Sequence, residues 1–268
     1  MRSVFLTALL GLFAVSASPV RGGDFATATL DATFKLFHKD STAACVLIRR
    51  DRSPEDESLY LATAAHVLER TKGETAILVL REQRDDGSYV RRDHTIAVRQ
   101  GDEPLWVKHP TEDAAVLRLA ENLPVPVAPL PASALADEAS LRDAGLHICS
   151  PIFALSYPQR FEANEAGFAV ARQGIIASHP FLPIERHHTF LADLTAFSGD
   201  SGGPVFVEGK NGNPLLIGMA LAQYRHDERI TTEFEERTVH VPLGLSMVLH
   251  AQFVRETIET ASKAASSK

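Results

Sequence analysis

The sequence predicts an all-β fold, either a sandwich or a barrel, followed by a C-terminal amphipathic helix. Its second half contains short apolar runs at regular spacing with turn-forming residues between them, which is typical of sandwiches and barrels. In the first half, Asp86-Gly87 lies between two strand-like runs, and an Asp-Gly pair favours a hairpin turn. From Met247 to Ala261, apolar residues recur at steps of three and four, which is the period of a helix.

The composition is that of a folded, acidic protein. The chain has 268 residues, of which 45% are hydrophobic and 23% are charged, and a formal net charge of −7. A chain of this length buries a sizeable core, and this composition excludes a disordered protein. Because phosphate binding requires clustered Lys and Arg, the negative charge argues against nucleic acid as a partner.

Residues 1–22 have the pattern of a secretory signal peptide. A positively charged start precedes the apolar run Val4–Val15, and the small residues 16–18 follow it. The run is short for a membrane-spanning helix, although an uncleaved anchor is the alternative. Cleavage after Ala17 and cleavage after Gly22 both fit the pattern. We therefore expect a secreted or periplasmic protein that is not attached to a membrane after cleavage.

The sequence contains two cysteines, Cys45 and Cys149, and both lie in apolar, strand-like stretches. A disulfide between them is possible in an oxidising compartment. A domain of this size does not need one, so we favour two buried free thiols.

The first half, residues 23–122, begins with a segment that fits either a short helix or a lead-in strand. The apolar runs 45–48 and 59–67 flank a polar loop and are predicted to form neighbouring antiparallel strands, the second of which ends near His66. Strands at 75–81 and 89–98 flank the Asp-Gly turn. Asp113 then opens a further apolar strand.

Residues 123–140 contain four prolines and many alanines, and we interpret them as an extended linker. The second half, residues 141–246, contains the strand-like runs 147–157, 168–178, 189–194, 204–207, 215–224 and 238–243. The polar run 225–237 is predicted to be a solvated loop. Residues 247–268 hold the C-terminal helix and a frayed tail.

The stretch Ser198–Val205 is the first candidate for chemistry. Ser201 lies among glycines that permit a sharp turn, and such a turn directs backbone N–H groups to one point beside the serine hydroxyl. Acyl transfer needs this geometry. The stretch alone fits a glycine-rich turn between strands equally well.

A serine nucleophile also needs a base and a carboxylate that orients the base. His66 and Asp113 each lie at the end or the start of an apolar run, where a rigid strand can position them. Asp102 competes for the carboxylate role, but it lies in a turn without a following apolar strand. We therefore predict Ser201 as nucleophile, His66 as base and Asp113 as orienting acid, with the N–H groups of Gly199 and Ser201 as oxyanion hole.

The segments Thr63–Val67, Asp113–Leu117 and Gly199–Pro204 resemble, in composition and order, the three signature segments of trypsin/chymotrypsin-like serine proteases. The resemblance implies two antiparallel β-barrels, residues 23–122 and 141–246, with the catalytic residues in the cleft between them. It implies a serine endopeptidase that hydrolyses polypeptides through an acyl-enzyme intermediate.

Departures from that pattern identify a subgroup. No Ile-Val-Gly-Gly segment lies near the start, so Asp200 lacks the new N-terminus with which it pairs in activated digestive members of the family. Val67 follows His66 where those members have a cysteine. The sequence is thus more similar to disulfide-poor bacterial secreted members of the HtrA type, and we expect no PDZ domain.

By the same resemblance, Thr195 forms the base of the primary specificity pocket, and Leu221, Ala222 and Gln223 form its wall. A base without an acidic side chain argues against selection of Lys or Arg. We expect a shallow pocket that prefers small or medium apolar side chains.

We expect neither a metal nor an organic cofactor. The sequence has no His-Glu-x-x-His, Cys-x-x-Cys or phosphate-cradling glycine loop. His187-His188 is better interpreted as a surface pair, because adjacent residues on a strand point to opposite faces. Two alternative functions stay open at this stage, a catalytically silent binding or scaffold protein and an esterase with the same three residues. The sequence does not predict the oligomeric state.

Overall fold

The computed structural model describes residues 24–39, 41–51, 57–119 and 123–266, and the predicted signal peptide, residues 1–22, lies outside them. The described residues form two large β-sheets, which curve into two barrel-like halves, together with a C-terminal helix. This confirms the predicted fold class. None of the described helices is both long and apolar enough to cross a membrane.

Helices are few and lie at the margins of the sheets. They are α1 Phe25–Ala32, α2 Ala65–Arg70, α3 Glu138–Asp143 and α4 Ala251–Ser266, with 3-10 turns at Ala132–Ala134, Pro158–Arg160 and Lys210–Gly212. The N-terminal segment contains both the short helix and the lead-in strand that the sequence predicts as alternatives, because α1 is followed directly by the first strand. Asp24 caps α1, since its Oδ1 accepts a hydrogen bond from the N–H of Thr27 at 2.7 Å.

The described residues of the first half and of the predicted linker form ten strands. They are β1 Thr33–His38, β2 Ser41–Asp51, β3 Glu57–Thr63, β4 Thr75–Gln83, β5 Tyr89–Ala97, β6 Arg99–Gln100, β7 Glu103–Pro104, β8 Trp106–Lys108, β9 Ala115–Arg118 and β10 Leu130–Pro131. The order in the large sheet is β5-β4-β1-β2-β3-β9-β8, and β10 joins β2 in parallel, while β6 and β7 pair separately. β3, which precedes His66, and β9, which follows Asp113, are hydrogen-bonded neighbours.

The second half is a six-stranded antiparallel sheet. Its strands are β11 Pro151–Ser156, β12 Val170–Ile175, β13 Thr189–Asp193, β14 Pro204–Glu208, β15 Pro214–Thr231 and β16 Glu236–His250. Their order is β12-β11-β14-β15-β16-β13. The turn with Ser201 enters β14 in the middle of this sheet.

Several predicted boundaries are wrong, and two of them lie in the last fifth of the chain. Residues 225–237 are not an irregular loop, because β15 and β16 pair from Arg225 and Pro242 out to Thr231 and Glu236. Both faces of this hairpin are largely exposed, so its sequence lacks the apolar alternation of a half-buried strand. The last helix begins at Ala251 rather than Met247, since Met247 pairs with β13 and β15.

The cysteines are both free, but only Cys45 is buried. It lies in β2 at the centre of the first half, and burial raises the pKa of its thiol far above the usual range. Cys149 is exposed, with a φ of 70° in a turn before β11, which corrects the prediction that both thiols are buried. Its apolar neighbours suggested a strand, whereas the chain turns there and leaves Ile148 exposed as well.

Helix α4 crosses from the second half to the first. Phe253, Val254 and Ile258 on one face of it are buried, and the helix packs against β8, β9 and β15. The His109 ring meets the Phe253 ring edge to face at 5.3 Å, and its Nε2 lies 3.1 Å from Glu256 Oε2. The helix therefore ties together the two halves whose junction holds the predicted site.

Candidate active site

His66 is held at the point where β3 gives way to α2. Ala64 and Ala65 on its N-terminal side are fully buried, so the backbone there is fixed by packing. The imidazole itself stays partly exposed, with 22% of its side-chain surface accessible. A buried backbone with an accessible ring suits a group that must meet a substrate.

Both carboxylate oxygens of Asp113 form hydrogen bonds with His66. Its Oδ2 lies 2.6 Å from His66 Nδ1, and its Oδ1 accepts a hydrogen bond from the His66 backbone N–H at 2.9 Å. Burial alone would raise the pKa of Asp113, but the hydrogen bonds from His66 and the nearby charges of His66 and Lys108 bring it below the usual value. Because an ionised carboxylate only accepts, Nδ1 must carry a proton, which leaves Nε2 of a neutral ring as acceptor.

The loop before Asp113 is shaped by a second histidine. His109 Nδ1 accepts hydrogen bonds from the backbone N–H groups of Thr111 at 3.3 Å and Glu112 at 3.1 Å. Its Nε2 therefore donates to Glu256 of α4. Asp113 is thus supported from the C-terminal helix as well as from β9.

Ser201 lies where the two halves meet. Its carbonyl accepts a hydrogen bond from Ala44 N–H in β2 at 2.9 Å, and the next residue, Gly202, donates to Ala220 O in β15 at 2.8 Å. Gly202 has a φ of 80°, and a Cβ there would lie 2.1 Å from Thr63 Oγ1. In this structure Ser201 Oγ donates to the carbonyl of Leu221 at 3.1 Å.

A cleft of about 710 Å³ brings the predicted residues together. Its lining residues from the first half are Ser41, Thr42, His66, Val67, Arg70 and Asp113, and those from the second half are Ala196–Ser201, Ala220–Gln223, Arg225 and Met247. His66, Asp113 and Ser201 thus share one solvent-accessible space between the two halves. Asp102, the rival carboxylate, is exposed in the turn between β6 and β7 and does not line the cleft.

The peptide bond before Gly199 has a defined orientation. The Ser198 carbonyl accepts a hydrogen bond from Gln159 N–H at 2.7 Å. In a planar trans peptide the C=O and the following N–H point in opposite directions, so the Gly199 N–H points away from Gln159. Within the described part of the chain, neither Gly199 N–H nor Ser201 N–H has an acceptor. Both are available to a ligand, as the predicted oxyanion hole requires.

Asp200 has a partner that the sequence did not reveal. Only 2% of this residue is exposed, and its Oδ2 accepts hydrogen bonds from Arg172 Nη2 at 2.7 Å and Phe197 N–H at 2.8 Å. Arg172 lies on β12 and also donates to Ser156 Oγ at 2.9 Å and Thr195 O at 2.6 Å. The turn around Ser201 is therefore anchored by a cation from within the second half.

The residues predicted for a specificity pocket divide into two groups. Leu221, Ala222 and Gln223 line the cleft, whereas Thr195 is not among its lining residues and accepts the Arg172 bond through its carbonyl. Sequence reasoning missed several lining residues, among them Arg70, Phe197 and Met247. Arg70 follows His66 by four positions, so the helical period of α2 could have indicated it. Over the described residues, no three His, Cys, Asp or Glu side chains converge as metal ligands.

Comparisons with known proteins identify the family and similar folds. A family model for the trypsin-like peptidase domain matches residues 43–219. The solved structure of AL20, a thermostable serine protease from an extremophilic microorganism, shares the fold with a TM-score of 0.51 and 14% identity over 88% of this chain and 99% of that one. An inactive-form mutant of Rv3671c from M. tuberculosis H37Rv gives a TM-score of 0.48 and 16% identity over 89% and 90% of the two chains. Among curated proteins, none matches the sequence significantly.

Proposed function

The chain belongs to the family of trypsin-like peptidase domains and is a serine protease, and on this premise we propose that it is an exported endopeptidase with Ser201, His66 and Asp113 as its catalytic residues. The observation that carries the proposal is the double contact of Asp113 with His66, at 2.6 and 2.9 Å, in the cleft that also contains Ser201. The support for export is the signal-peptide pattern of residues 1–22.

In the proposed reaction, Ser201 Oγ attacks the carbonyl carbon of a peptide bond while His66 Nε2 takes the hydroxyl proton. The C–N bond then breaks, and His66 delivers that proton to the leaving amine. Water then attacks the ester carbonyl, again with His66 as base. The bond between the acyl carbon and Ser201 Oγ breaks, the carboxylic acid product leaves, and the proton that His66 returns restores the serine hydroxyl. The Ser201 hydroxyl must first rotate away from Leu221 O towards the imidazole, as catalytic hydrogen bonds often form fully only with substrate bound.

Asp113 holds the imidazole in the required tautomer and stabilises its charged form during both proton transfers. The N–H groups of Gly199 and Ser201 stabilise the oxyanion of each tetrahedral intermediate. Loss of one such donor typically costs on the order of 10²–10³ in kcat.

For specificity we propose a preference for small or medium apolar side chains next to the scissile bond. The support is the apolar lining that Leu221, Ala222, Ala196 and Met247 give to the cleft beside Ser201. Matched fluorogenic peptides that differ only at this position test the preference. Faster cleavage after Arg or Lys than after Ala or Val would contradict it.

A fluorophosphonate probe tests the proposed nucleophile. We expect the wild-type protein and the Ser198→Ala variant to label and the Ser201→Ala variant not to label. Casein and an ester substrate then separate endopeptidase from esterase, and a protein that neither labels nor cleaves would be the silent binding module. Export is tested by expressing the full chain and sequencing the N-terminus of the secreted product, for which we expect a start shortly after residue 17 or 22.

A further inference from the structure

The segment 157–162 is an unusual turn that packs against Gly199. Gln159 and Arg160 have φ values of 51° and 68°, a conformation that residues with a side chain adopt only where their surroundings enforce it. A Cβ on residue 199 would lie 2.2 Å from the carbonyl oxygen of Tyr157, so the two backbones are in direct contact. The conformation of this segment therefore affects the orientation of the Ser198–Gly199 peptide bond.

The contact sets the direction of a catalytic donor. Gln159 N–H holds the Ser198 carbonyl at 2.7 Å, which leaves the Gly199 N–H on the opposite side of the peptide plane. If that peptide rotated by half a turn, a carbonyl oxygen would replace the N–H and repel an oxyanion. Gly199 itself offers little resistance to such a rotation, because glycine tolerates most backbone angles. Something outside the turn must select the productive orientation.

Two cationic side chains of the first half, Lys35 and Arg91, hold segment 157–162 in place. Lys35 Nζ in β1 donates to Arg160 O at 3.1 Å and to Glu162 Oε1 at 2.5 Å. Arg91 Nη1 in β5 donates to Glu162 Oε1 at 2.7 Å and Oε2 at 2.8 Å. We call this set the Lys35–Glu162–Arg91 cluster.

The cluster is largely buried, and a buried charge without a partner costs free energy of folding. Lys35 is only 8% exposed and lies between Phe34 and Leu36, while the Glu162 side chain is 15% exposed. Burial by itself would raise the pKa of Glu162, but the hydrogen bonds from Lys35 and Arg91 lower it below the usual value, so the carboxylate is ionised. Because opening the cluster would leave a buried ammonium without a partner, the closed arrangement is strongly favoured.

We propose that the Lys35–Glu162–Arg91 cluster is a positioning device that keeps the Ser198–Gly199 peptide oriented for oxyanion binding. Glu162 acts through segment 157–162 and does not touch the substrate. The inference rests on the proposed function, since it assigns a role at the same oxyanion hole. If the inference is correct, loss of the cluster raises the free energy of the transition state more than it weakens substrate binding.

The test compares Glu162→Gln with Glu82→Gln. Glu82 forms an exposed ion pair with Arg92 on the hairpin of β4 and β5, so its replacement is chemically matched but removes an ion pair that does not include segment 157–162. For Glu162→Gln we expect kcat on a fluorogenic peptide to fall about tenfold to a hundredfold with KM within about twofold, because a misoriented donor loses much of its effect. Affinity for a peptidyl boronic acid, which forms a tetrahedral adduct, should fall by the same factor as kcat/KM. Glu82→Gln should match the wild type.

Unchanged kcat in Glu162→Gln, or a raised KM alone, would overturn the proposal, as would a lower melting temperature without any loss of kcat. Arg91→Gln removes only the more exposed cation and serves as second variant if Glu162→Gln does not fold. It should lower kcat in the same direction by a smaller factor, and an unchanged kcat in it would also refute the proposal. A wild-type protein that neither labels nor cleaves would instead refute the proposed function itself.

Discussion

Arg172 on β12 pairs with Asp200, the residue that precedes the proposed nucleophile Ser201, at 2.7 Å between Nη2 and Oδ2. In the activated digestive members that the sequence resembles, a new N-terminus pairs with this aspartate instead. Here the cation is a side chain of the folded domain. The turn around Ser201 therefore has a counter-charge for Asp200 that does not depend on a cleavage event.

Replacing Arg172 with Met should destabilise the protein by about 3 kcal/mol, because it leaves the Asp200 carboxylate buried without a cation. Urea unfolding followed by circular dichroism measures the loss. Arg142→Met is the matched control, since Arg142 pairs with Glu138 at the surface of α3 and should cost far less. Equal losses of unfolding free energy in the two variants would show that the buried Arg172–Asp200 pair stabilises the protein no more than an exposed ion pair does.

Asp113→Asn should lower kcat by on the order of 10⁴, because an amide can stabilise the wrong imidazole tautomer and cannot stabilise the imidazolium. Steady-state hydrolysis of a peptide substrate measures the effect, and KM should change little. Asp102→Asn is the control and should retain wild-type activity. A large loss in Asp102→Asn with an active Asp113→Asn would reverse the assignment of the carboxylate.

Gly199→Ala should reduce kcat by about 10²–10³, the usual effect of losing an oxyanion donor. Its φ of 97° and the Tyr157 carbonyl at 2.2 Å from the new Cβ force the backbone to move. Gly87→Ala provides the comparison, since Gly87 has a φ of 81° but open space around it. That variant should lose about 1 kcal/mol of stability and no activity. Similar kinetics for both variants would argue against an oxyanion role for residue 199.

His250 should make stability depend on pH in mildly acidic solution. Burial lowers its pKa from 6.5 to about 4, so the folded protein binds this proton more weakly than the unfolded chain does. The contribution of the neutral His250 to the free energy of unfolding is fully present above pH 6.5 and is lost as the pH falls towards 4. We expect a loss of about 2–3 kcal/mol over this interval.

Urea unfolding at several pH values measures this dependence. His250→Phe keeps an aromatic ring beside Phe181 and Phe190 and should flatten the profile between pH 6.5 and 4. The exposed His226 supplies the control, because His226→Gln should leave the slope as it is. An unaltered slope in His250→Phe would assign the pH dependence to other groups.

The sequence was most informative where function is encoded locally. His66, Asp113 and Ser201 each lie at a boundary between an apolar run and a turn, and such boundaries can be recognised without knowing the fold. The order of the three segments then led to the fold class that the structure confirms.

Contacts between distant segments could not be predicted in this way. Arg172 and Asp200 are 28 positions apart, and Lys35 and Glu162 are 127 apart. Nothing in a run such as 170–175 shows which side chain will face the turn at Ser201, because this depends on the register between β12 and β11. The hairpin beyond Arg225 was missed for a related reason, since strands exposed on both faces have no apolar period.

The bridge formed by α4 has a consequence for the order of events during synthesis. His109 shapes the loop of Asp113 and is itself held by Phe253 and Glu256. Those two residues follow every strand of both halves, so a nascent chain carries His66 and Ser201 before the support for Asp113 has left the ribosome. The loop of Asp113 therefore gains its contact with α4 only after every strand of both halves has been synthesised.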